Sequence, residues 1–203
     1  IYYMLYKNQL VLTGAIDDTV APLRATSGKS YRLGLEVDAL IRLSNKFSLQ
    51  PNIAISSNKN VDFVTSWNGE LVDLGNTDIS FSPNIIAANA IVFQPAKSIQ
   101  FSLLSKFVGE QFMGNIDNKN SKLESYFVND SNASYEVTPN KLFKAIVFNA
   151  LINNIFNTEY ISNGYYFTYD DTWSVPDETT TIEGAGYYPQ ATTNFLIGAT
   201  FKF

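Results

Sequence analysis

The sequence predicts an all-β protein, a transmembrane antiparallel β-barrel, and three observations support this fold class. Apolar and polar residues alternate with a period of two along several segments, as in strands with two different faces. Most of these segments run about ten to fifteen residues, whereas soluble strands average about five to six and a bilayer needs about nine to eleven. Short connections alternate with long ones, which is the layout of a transmembrane barrel.

The composition agrees with this class and excludes several functions. Aromatic residues make up 14% of the chain and charged residues only 16%, a mixture that favours β-structure over disorder. Histidine and cysteine are absent, which excludes Ser–His and Cys–His catalysis and histidine-ligated zinc. We therefore predict no enzyme activity, no catalytic residue, no metal and no cofactor. The net charge is −5 without a basic stripe, so a nucleic acid is not an expected partner.

The first strands are 1–13, where the alternation is weak, and 30–43, where it is clearest. In 30–43 the odd positions from Tyr31 to Leu43 are all apolar. The even positions carry the charged residues Arg32, Glu36, Asp38 and Arg42. A paired-carboxylate enzyme site is one interpretation of these side chains. We favour a lumen-lining wall, because a basic residue facing lipid at mid-membrane costs about 2–4 kcal/mol.

Six further strands are predicted. They are 47–57, 84–94, 98–111, 125–137, 142–156 and 192–203. Pro51 lies inside one of them and cannot donate to a ladder, so we expect a bulge or a local gap there. The alternation in 84–94 is too weak for its faces to be assigned.

The connections fall into two classes. Short turns are predicted at 44–46, 95–97 and 138–141, and long loops at 14–29, 58–83, 112–124 and 157–191. The long loops are rich in Gly, Asn, Asp, Ser and Thr, which is typical of turns. Their aromatic residues are candidate ligand contacts, namely Trp67, Tyr165, Tyr166, Phe167, Tyr169 and Trp173. Tyr187 and Tyr188 suit either ligand contact or an interfacial aromatic girdle.

Three loop stretches are weak indications of binding sites. The stretch SGKS at 27–30 lacks the glycine of a phosphate loop, because Leu23 stands five residues before Gly28. The stretches NIDNKN at 115–120 and YDD at 169–171 hold carboxylates and amides without the spacing of a calcium loop. We therefore expect no nucleotide binding at SGKS, and we interpret NIDNKN and YDD as solvated loops.

Several stretches resemble the late barrel strands of TonB-dependent outer-membrane receptors of the Bacteroidetes type. They are YYMLYKNQLVLTG followed by SYRLGLEVDA, FVGEQFMGN at 107–115, NNIFNTEYISNGY at 153–165 and YYPQATTNFLIGATFKF at the end. In that family an N-terminal plug fills a 22-stranded barrel. The resemblance implies that residues 1–203 are the C-terminal portion of one barrel domain, about its last eight strands. The plug, the TonB-contacting segment and the earlier strands are outside this sequence.

The resemblance also implies a function and a location. The expected function is TonB-energised uptake of a small nutrient, such as a siderophore, a cofactor or a glycan, across the outer membrane of a Gram-negative bacterium. The C-terminus is then periplasmic, the short turns are periplasmic and the long loops are extracellular. The implied partners are outer-membrane lipid, the TonB complex, the outer-membrane assembly machinery and a surface lipoprotein.

The final strand has one apolar face. Phe195, Ile197, Phe201 and Phe203 share one parity, while Asn194, Thr200 and Lys202 share the other. By resemblance, a terminal strand that ends in Phe is the signal read by the assembly machinery. We expect Phe203 to be the true C-terminus and Ile1 to be a break in a longer chain.

Two other architectures fit the same alternation. One is a small closed eight-stranded outer-membrane barrel with a structural or adhesion role, in which 1–13 pairs with 192–203. The other is a soluble β-sandwich binding module, in which the apolar faces are turned inward.

Overall fold

The computed structural model describes residues 1–16, 22–139 and 142–203, without the side chains of 12–16, 22–23, 25 and 27. In this part of the chain there are sixteen strands and one short 3-10 helix, Lys119–Ser121. The strands are β1 (Tyr2–Ile16), β2 (Pro22–Asp38), β3 (Ile41–Arg42), β4 (Phe47–Val61), β5 (Val64–Trp67), β6 (Glu70–Asp73), β7 (Thr77–Asp78), β8 (Ile85–Ala96), β9 (Ile99–Val108), β10 (Gln111–Phe112), β11 (Lys122–Leu123), β12 (Tyr126–Val137), β13 (Ala145–Asn153), β14 (Ile161–Asp171), β15 (Thr180–Pro189) and β16 (Asn194–Lys202).

Eight long strands form one antiparallel wall. Their order in the sheet is β1, β2, β4, β8, β9, β12, β13 and β16, so each pairs with its neighbour along the chain. These are the eight strands that the sequence predicts, with shifted boundaries. The wall strands are therefore joined as a simple meander, in which every connection returns at the neighbouring strand.

The predicted loop 14–29 is wrong over most of its length. β1 continues to Ile16 and β2 begins at Pro22, and their register runs on through Leu10 opposite Thr26. Residues 17–21 of that prediction lie outside the described residues. The pairing continues because the backbone groups of both strands still satisfy each other, whether or not the side chains alternate in polarity.

Pro51 lies at a local gap, as the sequence predicts. The pairing of β2 with β4 stops at Asp38 opposite Asn52, and β3 resumes it at Ile41 opposite Leu49. Only the Pro51 carbonyl is used at the gap, where it accepts a hydrogen bond from Ala39 N at 3.0 Å. The missing proline N–H thus falls where the neighbouring strand is interrupted.

The wall has one uncovered apolar face and one polar face covered by loop residues. Leu35 and Val37 on the apolar face are 45% and 48% exposed. On the opposite face Arg32 donates to Asn58 Oδ1 at 3.3 Å and to Ser82 Oγ at 3.0 Å. Ser82 belongs to the connection between β4 and β8, so this connection folds over the polar side. The faces predicted for 30–43 are consistent with this asymmetry.

The predicted loop 157–191 is also wrong, since most of it is a β-hairpin. β14 and β15 pair in antiparallel register from Ile161 opposite Pro189 to Asp171 opposite Thr180. A smaller hairpin of β5 and β6 lies inside the predicted loop 58–83. The high content of Gly, Asn, Asp and Thr favours a loop locally. In the longer hairpin, the rings of Tyr165 and Phe167 pack on Gly186 and Gly184 of the opposite strand, and this packing overrides the local preference for a loop.

The ends of the wall do not meet in the described part of the chain. There β16 pairs with β13 alone, while β1 pairs with β2 and, through Ala15 opposite Thr168, with β14. A closed eight-stranded barrel requires β1 to pair with β16, and a sandwich requires a second large sheet over the apolar face. Neither arrangement is present in these residues. No helix among them has the length and hydropathy to span a bilayer.

Candidate functional site at the long connections

Three long connections, 62–84, 109–125 and 154–193, pack against one another at one end of the wall. Their small apolar centre consists of Met113, Leu123 and Tyr166, which are 3%, 2% and 7% exposed, with Ile161 beside them. Met113 and Leu123 come from the connection after β9, and Tyr166 comes from β14. We call this assembly the loop cluster. Phe63, Ile79 and Ile116 of the same connections are also buried, and polar contacts add to this apolar packing.

Glu183 is the polar centre of the loop cluster. Its carboxylate accepts hydrogen bonds from Tyr166 Oη at 2.9 Å, from Asn120 Nδ2 at 2.6 Å and from Asn118 Nδ2. Burial raises the pKa of the Tyr166 phenol, and its hydrogen bond to Glu183 raises that pKa further. The phenol is therefore a neutral donor to a carboxylate acceptor, an arrangement stronger than a bond between two neutral groups.

The β5–β6 turn is attached to the tip of the long hairpin. Asn68 N donates to Thr181 Oγ1 at 2.7 Å, and Thr181 N donates to Asn68 Oδ1 at 2.8 Å. The Thr181 hydroxyl in turn donates to Asp170 Oδ1 at 2.7 Å. Asn68 and Gly69 have φ of 52° and 76°, which an Asn-Gly hairpin turn requires. Asn68 therefore both forms the β5–β6 turn and bonds it to the long hairpin.

An acidic pair joins the first two connections. Lys59 Nζ lies 2.7 Å from Asp78 Oδ1, and Asp78 N donates to Asp117 Oδ1 at 2.7 Å. Neighbouring atoms desolvate the Asp117 carboxyl and raise its pKa. The Asp78 N–H bond and the Lys59 charge oppose the shift, and the Asp78 charge adds to it.

The outer face of the hairpin carries a row of aromatic rings. Tyr165, Phe167, Tyr169 and Trp173 follow one another at centroid distances of 6.2, 6.5 and 6.1 Å, with interplanar angles of 19°, 16° and 4°. We call these four residues the aromatic ladder. Near-parallel rings at this spacing form a continuous apolar strip.

Two glycines of β15 leave the space in which two rings of the ladder lie. Gly186 lies opposite Tyr165, and Gly184 lies opposite Phe167. A Cβ on Gly186 would meet the Tyr165 ring at 2.4 Å, and one on Gly184 would meet the Phe167 ring at 2.3 Å. The rings therefore lie across the backbone of β15, in the space that a side chain would fill.

Asp171 fixes the outer end of the aromatic ladder. Its Oδ1 accepts hydrogen bonds from Trp173 N at 3.1 Å and Ser174 N at 3.0 Å. A hydrogen bond with the Ser174 side chain, together with these backbone bonds, lowers the pKa of Asp171. Trp173 is 69% exposed and stays parallel to Tyr169 because the turn beneath it is capped in this way.

The predicted ligand-contact residues occupy three different environments. Tyr165 and Trp173 are exposed, and Trp67, Phe167 and Tyr169 are half-buried. Tyr166 is buried in the loop cluster, where its hydroxyl is bonded to Glu183. The structure thus separates the odd positions of β14, which form the ladder, from Tyr166, which packs inward.

The predicted wall residues are placed on two faces. Arg32, Glu36, Asp38 and Arg42 lie on the side that the loops cover, and only Arg32 is partly buried. Phe195, Ile197 and Phe201 lie on the apolar face of β16, followed by Phe203, and all four are exposed. The Tyr187 hydroxyl donates to Asn120 O at 3.0 Å. The ring centroid of Tyr188 lies 6.0 Å from that of Tyr165.

A groove of about 600 Å³ opens between the second and third connections. Tyr160 on its wall stacks on Tyr126 with a centroid distance of 4.5 Å. Lys122, Glu124 and Glu159 place charges of both signs along it, and Lys122 Nζ lies 2.5 Å from Glu110. That contact with Glu110 is the main cause of the raised pKa of Lys122.

The turn that begins the third connection is built by asparagines of the NIFN motif. Asn154 and Asn157 have φ of 50° and 55°. Asn154 N donates to Asp130 Oδ1 at 2.8 Å, and the Asn154 amide bonds Thr158 in both directions at 2.8 and 2.9 Å. Thr193 N donates to Asn157 Oδ1 at 3.1 Å, so the start and the end of the connection are joined.

Charge is divided sharply between the connections and the wall. Residues 62–84 and 154–193 contain ten Asp and Glu and no Lys or Arg, and 109–125 adds three acidic residues and two lysines. The rest of the chain has six acidic and twelve basic residues. The loop cluster is therefore strongly acidic, although the whole chain carries only −5.

Several residues of the cluster escaped prediction from sequence. Glu183, Asn118, Asn120 and Asn68 occur in stretches whose composition is that of ordinary loops. Two sequence signals were present. The stretch NIDNKN at 115–120 contains Asn118 and Asn120, although from sequence we interpret it as a solvated loop. The dipeptide Asn68-Gly69 indicates a tight hairpin turn but not the hairpin that it contacts.

The sequence matches no family model and no curated protein. Solved structures with a similar fold include the siderophore receptor PiuA from Acinetobacter baumannii, with a TM-score of 0.61 and 16% identity over 97% of this chain and 24% of that one. They also include the closed form of the ferric-catecholate import receptor Fiu from E. coli K12, with a TM-score of 0.63 and 14% identity over 97% of this chain and 24% of that one. The copper transporter OprC matches with a TM-score of 0.66 at 15% identity, over 98% of this chain and 27% of its own.

The chain spans about a quarter of the length of these receptors. The likeness shows the fold, which is that of an outer-membrane receptor barrel. It confirms the fold class that the strand pattern predicts and, for the fold, the resemblance to TonB-dependent receptors.

Proposed function

We propose that this chain is a sector of an outer-membrane receptor barrel that takes up a small nutrient. It supplies part of the wall, part of the lumen lining and long loops at the cell surface. The observation that carries the proposal is the pairing of an uncovered apolar face with a polar face over which the loops fold. A barrel in lipid needs this arrangement, because its outside contacts acyl chains and its inside contacts water and ligand.

The orientation follows from the connections. The long connections form the loop cluster at one end of the wall, and the turns at the other end are short. In outer-membrane barrels the long loops are extracellular and the short turns periplasmic. We therefore place the loop cluster outside the cell and the C-terminus of β16 on the periplasmic side.

Ligand contact is assigned to five aromatic side chains of the loop cluster, of which two are exposed and three are half-buried. Trp67, Tyr165, Phe167, Tyr169 and Trp173 offer ring faces and edges, while Arg32, Glu36, Asp38 and Arg42 line the lumen side below. Tyr166 supports the hairpin from within and is not a contact residue in this proposal. Uptake of this kind is binding followed by translocation, with no covalent step, so no catalytic residue is assigned.

The remaining partners belong to the same proposal. Energy reaches the receptor through the TonB complex, which contacts a segment outside residues 1–203, and a plug outside them gates the lumen. The exposed apolar stripe Phe195, Ile197, Phe201 and Phe203 is the surface that the assembly machinery recognises, and it then faces lipid. A surface lipoprotein is a further candidate partner at the loop cluster.

Growth and fractionation test the proposal. A deletion strain and a strain without TonB are grown on limiting iron, cofactor or glycan sources, and the intact protein is followed through membrane fractionation. We expect the protein in the outer-membrane fraction and the same growth defect in both strains on one source. Recovery of the protein in the soluble fraction, or normal growth of the deletion strain on a source that needs TonB, would overturn it.

A further inference from the structure

We infer that the aromatic ladder binds an extended basic peptide, with one arginine or lysine side chain over each ring. The inference rests on the proposed function for the exposure of the hairpin at the cell surface. It adds a ligand class and a binding surface that the fold does not specify. Three independent properties of the hairpin support it: spacing, charge and rigidity.

The spacing of the rings matches an extended peptide. Residues of an extended chain advance about 3.3 Å each, so alternate side chains on one face recur about every 6.6 Å. The rings of the aromatic ladder recur at 6.2, 6.5 and 6.1 Å. Alternate side chains of an extended peptide therefore recur at nearly the same interval as successive rings of the ladder.

The charge of the surrounding loops selects a cation. The connection that carries the ladder, 154–193, contains six carboxylates and no basic residue. Asp171, Asp177 and Glu178 flank Trp173 at the outer end of the ladder, whereas the Asp170 and Glu183 side chains are bonded to other residues of the loop cluster and Glu159 lies in the groove. An acidic surface attracts cations and repels anions over a distance of about 8–10 Å at ordinary salt. Arginine and lysine also bind the faces of aromatic rings, which neutral or anionic groups do not do as strongly.

The rigidity of the ladder reduces the cost of binding. Tyr165 and Phe167 lie over Gly186 and Gly184, and Trp173 is fixed by the Asp171 cap. A surface that is already ordered loses little side-chain entropy when a ligand binds. The ring faces turned away from β15 are therefore ready to accept planar guanidinium groups.

Binding to the intact protein in detergent micelles tests the inference. Fluorescence anisotropy is measured with three peptides: alternating arginine and serine, the same composition with all arginines in one block, and alternating glutamate and serine. We expect the alternating arginine peptide to bind most tightly and the glutamate peptide not to bind. We also expect the affinity to fall as salt is raised from 50 to 500 mM, on the order of tenfold or more.

Matched variants locate the surface. Trp173→Ala should weaken binding about fivefold, which is the cation–π contribution of one exposed ring. Phe156→Ala is the control, because Phe156 is 68% exposed on the same connection but outside the ladder. The double change Asp177→Asn and Glu178→Gln should weaken binding and flatten the salt dependence. Glu136→Gln, at the end of β12 away from the loop cluster, should change neither.

The outcomes separate this inference from the proposed function. Equal affinity for the alternating and block peptides, or equal loss from Trp173→Ala and Phe156→Ala, would overturn the inference. Salt-independent binding of a neutral oligosaccharide at the ladder, with no peptide binding, would overturn it in favour of a glycan. Peptide binding by a protein that needs no TonB for any uptake supports the inference and contradicts the proposed function.

Discussion

The hydroxyl of Tyr166 donates a 2.9 Å hydrogen bond to the carboxylate of Glu183, and this contact joins the two strands of the hairpin to each other inside the loop cluster. Asn118 and Asn120 from the preceding connection bind the same carboxylate. One side chain therefore holds together segments that belong to different connections, and its removal has consequences that can be measured.

Tyr166→Phe should loosen the loop cluster without affecting the wall. The change removes a hydrogen bond to a charged acceptor, which contributes about 1.5–3 kcal/mol. Hydrogen exchange should show faster amide exchange in 109–125 and 161–189 and unchanged exchange in β8 and β9. Tyr165→Phe is the matched control, because Tyr165 is 50% exposed and points away from the cluster. Equal effects of the two changes would contradict the role of Glu183.

Alkaline pH should loosen the same cluster. The folded-state pKa of Tyr166 is raised above its usual value of 10.0. A raised folded-state pKa means that the stability from this group is fully present below about pH 10 and is lost as the pH rises toward the folded value. Limited proteolysis of the connections should therefore accelerate above about pH 10 in the native protein. Tyr166→Phe should lose the part of this dependence that is due to the phenol.

Asp117→Asn should stabilise the first two connections at neutral pH. The folded-state pKa of Asp117 is raised above 3.8, mainly by desolvation, so its ionised form is disfavoured where it lies. Its favourable contribution is therefore greatest at low pH and is lost as the pH rises through the folded-state pKa. The Asn amide oxygen can still accept from Asp78 N. Hydrogen exchange near Asp78 should be slower than in the native protein at pH 7, with little difference at pH 3.

Leu35→Arg and Glu36→Gln test the two faces of the wall. Leu35 is 45% exposed on the apolar face, and Glu36 lies next to it on the polar face. A basic residue facing mid-membrane lipid costs about 2–4 kcal/mol, so Leu35→Arg should reduce the amount of folded protein in the outer membrane. Glu36→Gln should leave that amount unchanged. Equal tolerance of the two changes would reverse or remove the face assignment.

Gly186→Ala should displace the Tyr165 ring while leaving the hairpin folded. The new methyl would lie 2.4 Å from the ring, which is the far end of the Tyr165 side chain and would be pushed aside by rotation about its side-chain bonds. Near-ultraviolet circular dichroism should therefore change, and the free energy of unfolding should fall by about 1 kcal/mol. Gly198→Ala in β16 is the control, because a Cβ there meets no atom within 4 Å. An unchanged aromatic signal in Gly186→Ala would show that the ladder is not packed on glycine.

The sequence by itself determined the wall. Alternation along 30–43 and 192–203 is a local property, since successive side chains of a strand point to opposite faces whatever lies beside them. Eight strands, their order as a meander and the gap at Pro51 therefore follow from the residues of each segment and their short turns. The boundaries of β1 and β2 did not follow, because their pairing continues beyond the alternating part.

Only the tertiary structure decided the loop cluster. Asn118 and Glu183 are 65 residues apart in the chain, and Asn68 and Thr181 are 113 residues apart. Nothing in the composition of either member specifies the other, because hydrogen bonds between distant connections depend on where the wall places their ends. Similarly, the glycines of β15 by themselves indicate a loop. Only the tertiary structure shows that Tyr165 and Phe167 lie opposite them and pack on them. A strand carries its own periodicity, whereas a site built from several loops exists only when the wall has brought them together.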